Sequence, residues 1–132
     1  MAVIGMYAAM LVAFFVIDAI ALKFVMYPLF QKHIPDLLRD EVQISVAAGF
    51  YALYVIGVIY FAVMPALQAE RPELALMNGA FLGFLAYGTY EATNMATIKG
   101  WSWQMLLTDV TWGTILTATI ALIGYLVGRA LQ

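Results

Sequence analysis

The strongest constraint on the fold is a run from Val42 to Ala69 that contains no charged residue. It exceeds the roughly 20 apolar residues that a helix needs to cross a bilayer. Three further apolar runs accompany it, and none alternates between polar and apolar residues as a half-buried strand does. Because a backbone in lipid must satisfy its own hydrogen bonds, such runs predict helices. We therefore predict an all-α fold, an integral membrane four-helix bundle.

The composition favours a membrane protein and excludes several classes of function. Of 132 residues, 65% are hydrophobic and only 11% are charged, whereas soluble domains carry about 25% charged residues. The six Lys and Arg residues are spread thinly, so nucleic acid is not an expected partner. The absence of Cys excludes disulfides and thiolate–metal sites. The sequence shows no haem or nucleotide motif and predicts no metal site, so any cofactor is unknown at this stage.

We expect a single membrane domain over residues 1–132, surrounded by membrane lipids as its first partners. The four predicted spans cover approximately residues 3–27, 43–67, 74–98 and 103–129.

An even number of spans places both termini on one side of the membrane. The positive charges divide unequally between the two sides, and the positive-inside rule assigns the richer side to the cytoplasm. We therefore expect both termini outside the cytoplasm. The richer side carries Lys23, Lys32, Arg39 and Lys99, and the side of the termini carries Arg71 and Arg129.

The connections between the spans are short. Residues 28–43 mix apolar with charged side chains, which predicts a short amphipathic turn at the membrane interface. Pro35 suits the first turn of a helix that leads into the second span. Trp101 and Trp103, between the third and fourth spans, are typical of an interfacial aromatic belt.

Three carboxylates interrupt the apolar runs: Asp18, Glu91 and Asp109. A charge in hydrocarbon is costly, so an acid inside a span is by default a candidate for function. Counted from the predicted ends of their spans at about 1.5 Å per residue, all three lie roughly 9–14 Å inside the same boundary. Three helices therefore contribute one acid each to a common polar layer.

Polar and aromatic residues accompany these acids at helical spacing. Tyr87, Glu91 and Asn94 share one face of the third span. Three threonines, Thr89, Thr93 and Thr97, form an adjoining stripe. The candidate site residues, with catalytic roles unknown, are Asp18, Tyr87, Glu91, Asn94, Thr97, Asp109 and Trp112.

Neighbouring positions add possible partners for the layer. Tyr51 and Tyr54 of the second span come at a similar depth, and Lys23 is close enough in sequence to Asp18 to pair with it. Two interpretations follow. The layer is either a pocket that relays protons, binds a cation or holds a polar head group, or a hydrogen-bonded network that only fixes helix register.

Small residues form a second pattern. The pairs Gly79/Gly83 and Gly124/Gly128 have the small-xxx-small spacing that allows close helix approach. We favour packing within the four-helix bundle. The alternative is a homo-oligomer or a protein partner bound through these faces.

Two segments carry a family resemblance. Residues 87–101, with Tyr87, Glu91 and Asn94, and residues 109–116, with Asp109 followed by Trp112 and a glycine, resemble the signatures of a bacterial family of predicted four-span membrane proteins of unknown function. The family commonly has Asp where Glu91 stands, and a Trp shortly after the first acid, which residues 19–22 lack. The resemblance implies a four-helix protein of the bacterial cytoplasmic membrane. It also implies an accessory role in lipid-related processes, because members are often encoded beside lipid-modifying genes.

Our first functional hypothesis is a polytopic membrane protein whose carboxylate layer binds a small polar or cationic group or a lipid head group. A second is a structural or accessory subunit of a larger membrane complex. A third is a membrane enzyme acting on lipid, for which the acids and tyrosines would supply acid–base chemistry. No nucleophile or metal cluster supports the third, so the sequence leans away from an enzyme.

Overall fold

A computed structural model describes residues 2–132 of the chain. Four long helices account for nearly all of these residues, which confirms the predicted all-α bundle. The helices are α1 (Ala2–His33), α2 (Ile44–Ala69), α3 (Pro72–Thr97) and α4 (Trp103–Leu131).

Three of the helices, α1, α2 and α4, are long and apolar enough to cross a membrane. Their outward faces carry large apolar side chains, among them Ile4, Phe50 and Leu126, each more than half exposed. Lipid solvates such a surface, whereas water would not. The remaining helix, α3, has 26 residues, about 39 Å at 1.5 Å per residue. Its polar residues make it less apolar, and its passage across the membrane remains a prediction.

The first two helices each contain a widened, π-helical turn that ends two residues before a proline. These turns cover Leu22–Met26 and Ile59–Val63, and the prolines that follow are Pro28 and Pro65. A proline inside a helix lacks its N–H and collides with the carbonyl four residues earlier. The wider turn removes that collision, so each helix passes its proline without breaking.

Two expectations for the first connection are therefore wrong. Tyr27 does not end the first helix, which continues through Pro28 to His33. Pro35 starts only a single 3-10 turn, Pro35–Leu37, and α2 begins later, at Ile44.

The tightest packing in the bundle joins α3 to α4. A Cβ atom at Gly79 would collide with Ala121 and the backbone of Thr117, and one at Gly83 would collide with the backbone carbonyl of Gly113. The two backbones can approach this closely only because these side chains are absent. Small residues on α3 therefore set the distance between the two helices.

The other glycine pair packs against the remaining two helices. A Cβ atom at Gly124 would meet Met10 of α1, and one at Gly128 would meet Met6 of α1 and Leu67 of α2. Both glycine pairs thus serve packing within the bundle, as favoured from the sequence. Because these faces are covered within the chain, they do not provide the oligomer face that the alternative requires.

The apolar core fills the half of the bundle near the chain termini. Met6, Met10, Val63 and Ile120 are almost wholly buried there. Phe14 closes this core on the side of the acids, with its ring 4.6 Å from the ring of Tyr51. The carboxylates therefore lie next to a well-packed apolar core, on the side away from the chain termini.

A pair of substitutions on one helix tests the α3–α4 contact. Gly83→Ala should lower the free energy of unfolding by about 1–3 kcal/mol, because the new methyl group overpacks a backbone contact. Gly88→Ala is the matched control, since no neighbouring atom lies within 4 Å of its Cβ position. Its effect should stay within about 0.5 kcal/mol. Thermal unfolding in mild detergent measures both, and equal losses would contradict the proposed contact.

Candidate functional site

All three intramembrane acids are buried in the bundle. The exposed fraction is 7% for Asp18, 0% for Glu91 and 8% for Asp109. They come from α1, α3 and α4, on the side of the dry core that faces the α1–α2 and α3–α4 connections. The sequence predicts one shared depth for the three acids. In the structure all three are buried on the same side of the core, and they form two separate centres.

The first centre is built around Asp18. Its carboxylate accepts a 2.6 Å hydrogen bond from the Tyr51 hydroxyl of α2 and a 3.2 Å bond from the Trp112 indole N–H of α4. Each oxygen has one donor, as burial of an ionised group requires. Asp18 therefore connects three helices. Residues 19–22 lack the tryptophan that is common in the family, and Tyr51 and Trp112 provide the aromatic contacts of Asp18 instead.

The second centre is the pair of Glu91 and Asp109. Glu91 Oε1 accepts a 2.8 Å hydrogen bond from the indole N–H of Trp101. Glu91 Oε2 is buried without any hydrogen-bond partner. The Asp109 carboxyl is close enough to Glu91 for the two groups to interact. Two ionised carboxylates are both acceptors and cannot bond to each other.

Tyr87 lies between the two centres. Its ring covers Gly113, where a Cβ atom would collide with it, and it is near enough to both Asp18 and Asp109 to feel their charges. Its ring centroid is 6.5 Å from that of Tyr54, whose hydroxyl lies 2.8 Å from the Thr117 hydroxyl. Hydroxyl groups therefore occupy the space between the acids and the apolar core.

The acids do not combine into a metal-binding cluster. Among residues 2–132, no group of three or more His, Asp or Glu side chains is arranged to hold a metal ion. Asp18 is held by aromatic donors, apart from the carboxyl pair. The chemistry of the layer is thus that of one isolated carboxylate and one carboxyl pair.

Two of the candidate residues lie outside these centres. Thr97 is exposed, and its hydroxyl donates to the carbonyl of Thr93 in its own helix. Thr89 does the same toward Leu85, so the threonine stripe faces outward instead of joining the site. Asn94 is half-buried and lies near the Tyr90 hydroxyl, beside the carboxyl pair and without direct contact to it.

Three other expectations can be compared with the structure. The α3–α4 connection folds Trp101 back onto Glu91, and its place in an interfacial belt stays a prediction. Lys23 is exposed and does not pair with Asp18; its ammonium lies 5.5 Å from the centroid of the Phe24 ring. Tyr51 matched the acids in depth, but only the helix arrangement reveals that it is the partner of Asp18.

The hydrogen bond from Trp101 is open to a direct test. Trp101→Phe keeps an apolar ring beside Phe30, whose centroid lies 5.2 Å away, but leaves both Glu91 oxygens without a donor. We expect a loss of about 1–3 kcal/mol in stability. Trp103→Phe is the control, since Trp103 is exposed and only loses surface contact. Comparable unfolding temperatures for the two variants would contradict a role for Trp101 in holding Glu91.

Comparison with known proteins bears on the chain as a whole. Neither the curated proteins nor the solved structures yield a match. Residues 3–126, which is nearly the full length, match the family described as "Predicted membrane protein (DUF2177)". The match supports the family resemblance and the membrane location together. The chain therefore belongs to DUF2177, a family of predicted membrane proteins.

Proposed function

We propose that this integral membrane protein is a binding protein, not an enzyme, and that it takes up one small cation at the Glu91–Asp109 pair. The smallest such cation is a proton shared between the two carboxyl groups. An inorganic monovalent ion is the other source of the same charge. Asp18 provides a second carboxyl group near the pair, held by Tyr51 and Trp112.

The observation that carries this proposal is the unpartnered oxygen of Glu91. Glu91 is completely buried, yet its Oε2 has no donor, and the Asp109 carboxyl is close enough to interact with the Glu91 side chain. Nearly all buried polar side-chain atoms in proteins have a hydrogen-bond partner. An exception next to a second acid indicates a species that completes the pair.

The energetics favour the same conclusion. Two ionised carboxylates in contact and out of water repel each other and lose their hydration, at a cost of several kcal/mol per ion. One proton or cation removes the repulsion and supplies Oε2 with its missing partner. A purely structural network would gain nothing from an acid at both positions, because a single amide would provide the missing donor.

The tyrosines give the site a chemical surrounding that suits charge uptake. Tyr87 lies near both Asp18 and Asp109, and Tyr51 donates to Asp18. Hydroxyl groups can both donate and accept, so they can reorient when the charge on the pair changes. Asp18 accepts two hydrogen bonds, which favour a carboxylate, and a carboxylate there would attract a cation toward the layer.

We place the site near the cytoplasmic face of a bacterial cytoplasmic membrane, with both termini outside. The distribution of positive charge supports this placement. Near the termini, Arg71 pairs with Glu73 at 2.7 Å and Arg129 with Glu70 at 3.1 Å. The four cations on the other side form no ion pair within residues 2–132, so their charge remains available to the positive-inside rule. An accessory role in a lipid-related process is compatible with such a site.

Amide substitutions test the carboxyl pair. Infrared difference spectra of the purified protein should show the carbonyl band of a protonated carboxyl, and Glu91→Gln and Asp109→Asn should each remove it. Each amide keeps the shape of the acid and donates the missing hydrogen bond, so the fold should persist. Glu41→Gln is the control, because Glu41 is an exposed acid of the α1–α2 connection.

Calorimetric titration with Na⁺ or K⁺ at fixed pH distinguishes the two sources of charge. Binding of an inorganic cation that is lost in both amide variants supports cation uptake, whereas the infrared band alone supports a proton. If the wild-type protein gives neither signal, or if the Glu91→Gln/Asp109→Asn double variant keeps both, the proposal fails.

A further inference from the structure

A cleft of about 480 Å³ separates the second half of α1 from the beginning of α2. Its walls are apolar, with Phe15, Ala19 and Leu22 on α1 facing Ile44 and Ala47 on α2. It lies on the outside of the bundle, so it opens toward the bilayer. Its volume falls within the range of about 300–1,000 Å³ that small-molecule sites occupy.

Three charged side chains line this cleft, and two of them have no hydrogen-bonding or ionic partner within the described residues. Lys23 from α1 and Asp40 from the α1–α2 connection line its outer end. Both are exposed, and neither forms an ion pair among the described residues. Asp18 and Tyr51 form the inner end, where the Asp18 oxygens already accept from Tyr51 and Trp112. The free charges are thus one cation and one anion at the mouth.

The backbone of α1 is irregular where it borders the cleft. Leu22 and Lys23 belong to the π-helical turn Leu22–Met26. Pro28 accounts for the presence of this turn, and π-helical turns occur frequently at functional sites. Lys23 therefore leaves α1 from a widened turn, at about 7.5 Å along the helix axis from Asp18, and its long side chain reaches the membrane interface.

We propose that this cleft binds a zwitterionic phospholipid with a primary ammonium head group, such as phosphatidylethanolamine. The phosphate pairs with Lys23, the ammonium donates to Asp40, and the acyl chains lie along the apolar walls. This site is separate from the Glu91–Asp109 pair and does not rest on the function proposed above.

The charges at the mouth decide between classes of lipid. A primary ammonium has three N–H donors and bonds directly to a carboxylate. A quaternary ammonium, as in phosphatidylcholine, has no N–H and cannot bond to Asp40 in this way. An anionic lipid without an ammonium group, such as phosphatidylglycerol, offers Asp40 no N–H donor and brings a negative phosphate near its carboxylate. We therefore infer a preference for the ethanolamine head group over the other two.

Lipid competition tests this selectivity. The full-length protein is incubated in mixed micelles with equal amounts of phosphatidylethanolamine, phosphatidylcholine and phosphatidylglycerol, and the retained lipids are counted by native mass spectrometry. We expect phosphatidylethanolamine to be retained preferentially. Lys23→Gln and Asp40→Asn should each reduce its retention about 10-fold or more, as for loss of one hydrogen bond to a charged group.

Matched controls lie nearby, at the end of α1 and on the α1–α2 connection. Lys32→Gln and Asp36→Asn neutralise exposed charges that do not line the cleft, and they should leave retention unchanged. Ala47→Trp fills the cleft without changing its charge and should abolish retention. Glu91→Gln should leave lipid selectivity intact, so failure of the cation site is distinguishable from failure of this one.

Three results would overturn the proposal. The first is equal retention of the three lipids by the wild-type protein, and the second is unchanged selectivity in both Lys23→Gln and Asp40→Asn. The third is full retention in Ala47→Trp, which would place the bound lipid elsewhere on the bundle.

Discussion

The close approach of α3 and α4 is the contact on which the rest of the structure depends. Gly83 of α3 lies against the backbone of Gly113 in α4, and the same α4 glycine accepts the ring of Tyr87. Two helical turns after Gly83 in α3 and one turn before Gly113 in α4, Glu91 and Asp109 lie close enough to interact. With larger residues at these glycines the two helices would move apart, and the carboxyl groups would lose their contact. Small residues thus determine the chemistry of the polar layer without belonging to it.

Aromatic side chains, not basic ones, hold the buried acids. Tyr51 and Trp112 donate to Asp18, and Trp101 donates to Glu91. A lysine or arginine partner would neutralise each acid permanently, and the ion pair would also have to be desolvated. Neutral donors stabilise a carboxylate while leaving its negative charge in place. The layer therefore combines buried carboxyl groups with neutral hydrogen-bond donors, an arrangement that is compatible with the proposed cation site.

The sequence predicted the four helices, the packing role of the glycines and the three buried acids. These features follow from composition and helical spacing, which are local properties of a chain. The partners of the acids were not predictable in the same way. Tyr51 and Trp101 contact acids through helix placement and through a folded connection, and neither is encoded in spacing along one helix. Thr97 was predicted as part of a stripe with Thr89 and Thr93, but in the structure it is exposed and its hydroxyl bonds to its own helix.

The prolines explain why the polar half differs from the dry half. Pro65 and its π-helical turn Ile59–Val63 lie within the apolar core, where Val63 and Ala62 fill the widened turn and are fully buried. Pro28 and the turn Leu22–Met26 lie where α1 and α2 diverge, and there Leu22 and Lys23 line an open cleft instead. Core side chains cover the widened turn of α2, whereas the widened turn of α1 borders an open cleft. The open cleft lies on the outside of the bundle, where core packing does not close it, and in a membrane lipid is the ligand that we propose for it.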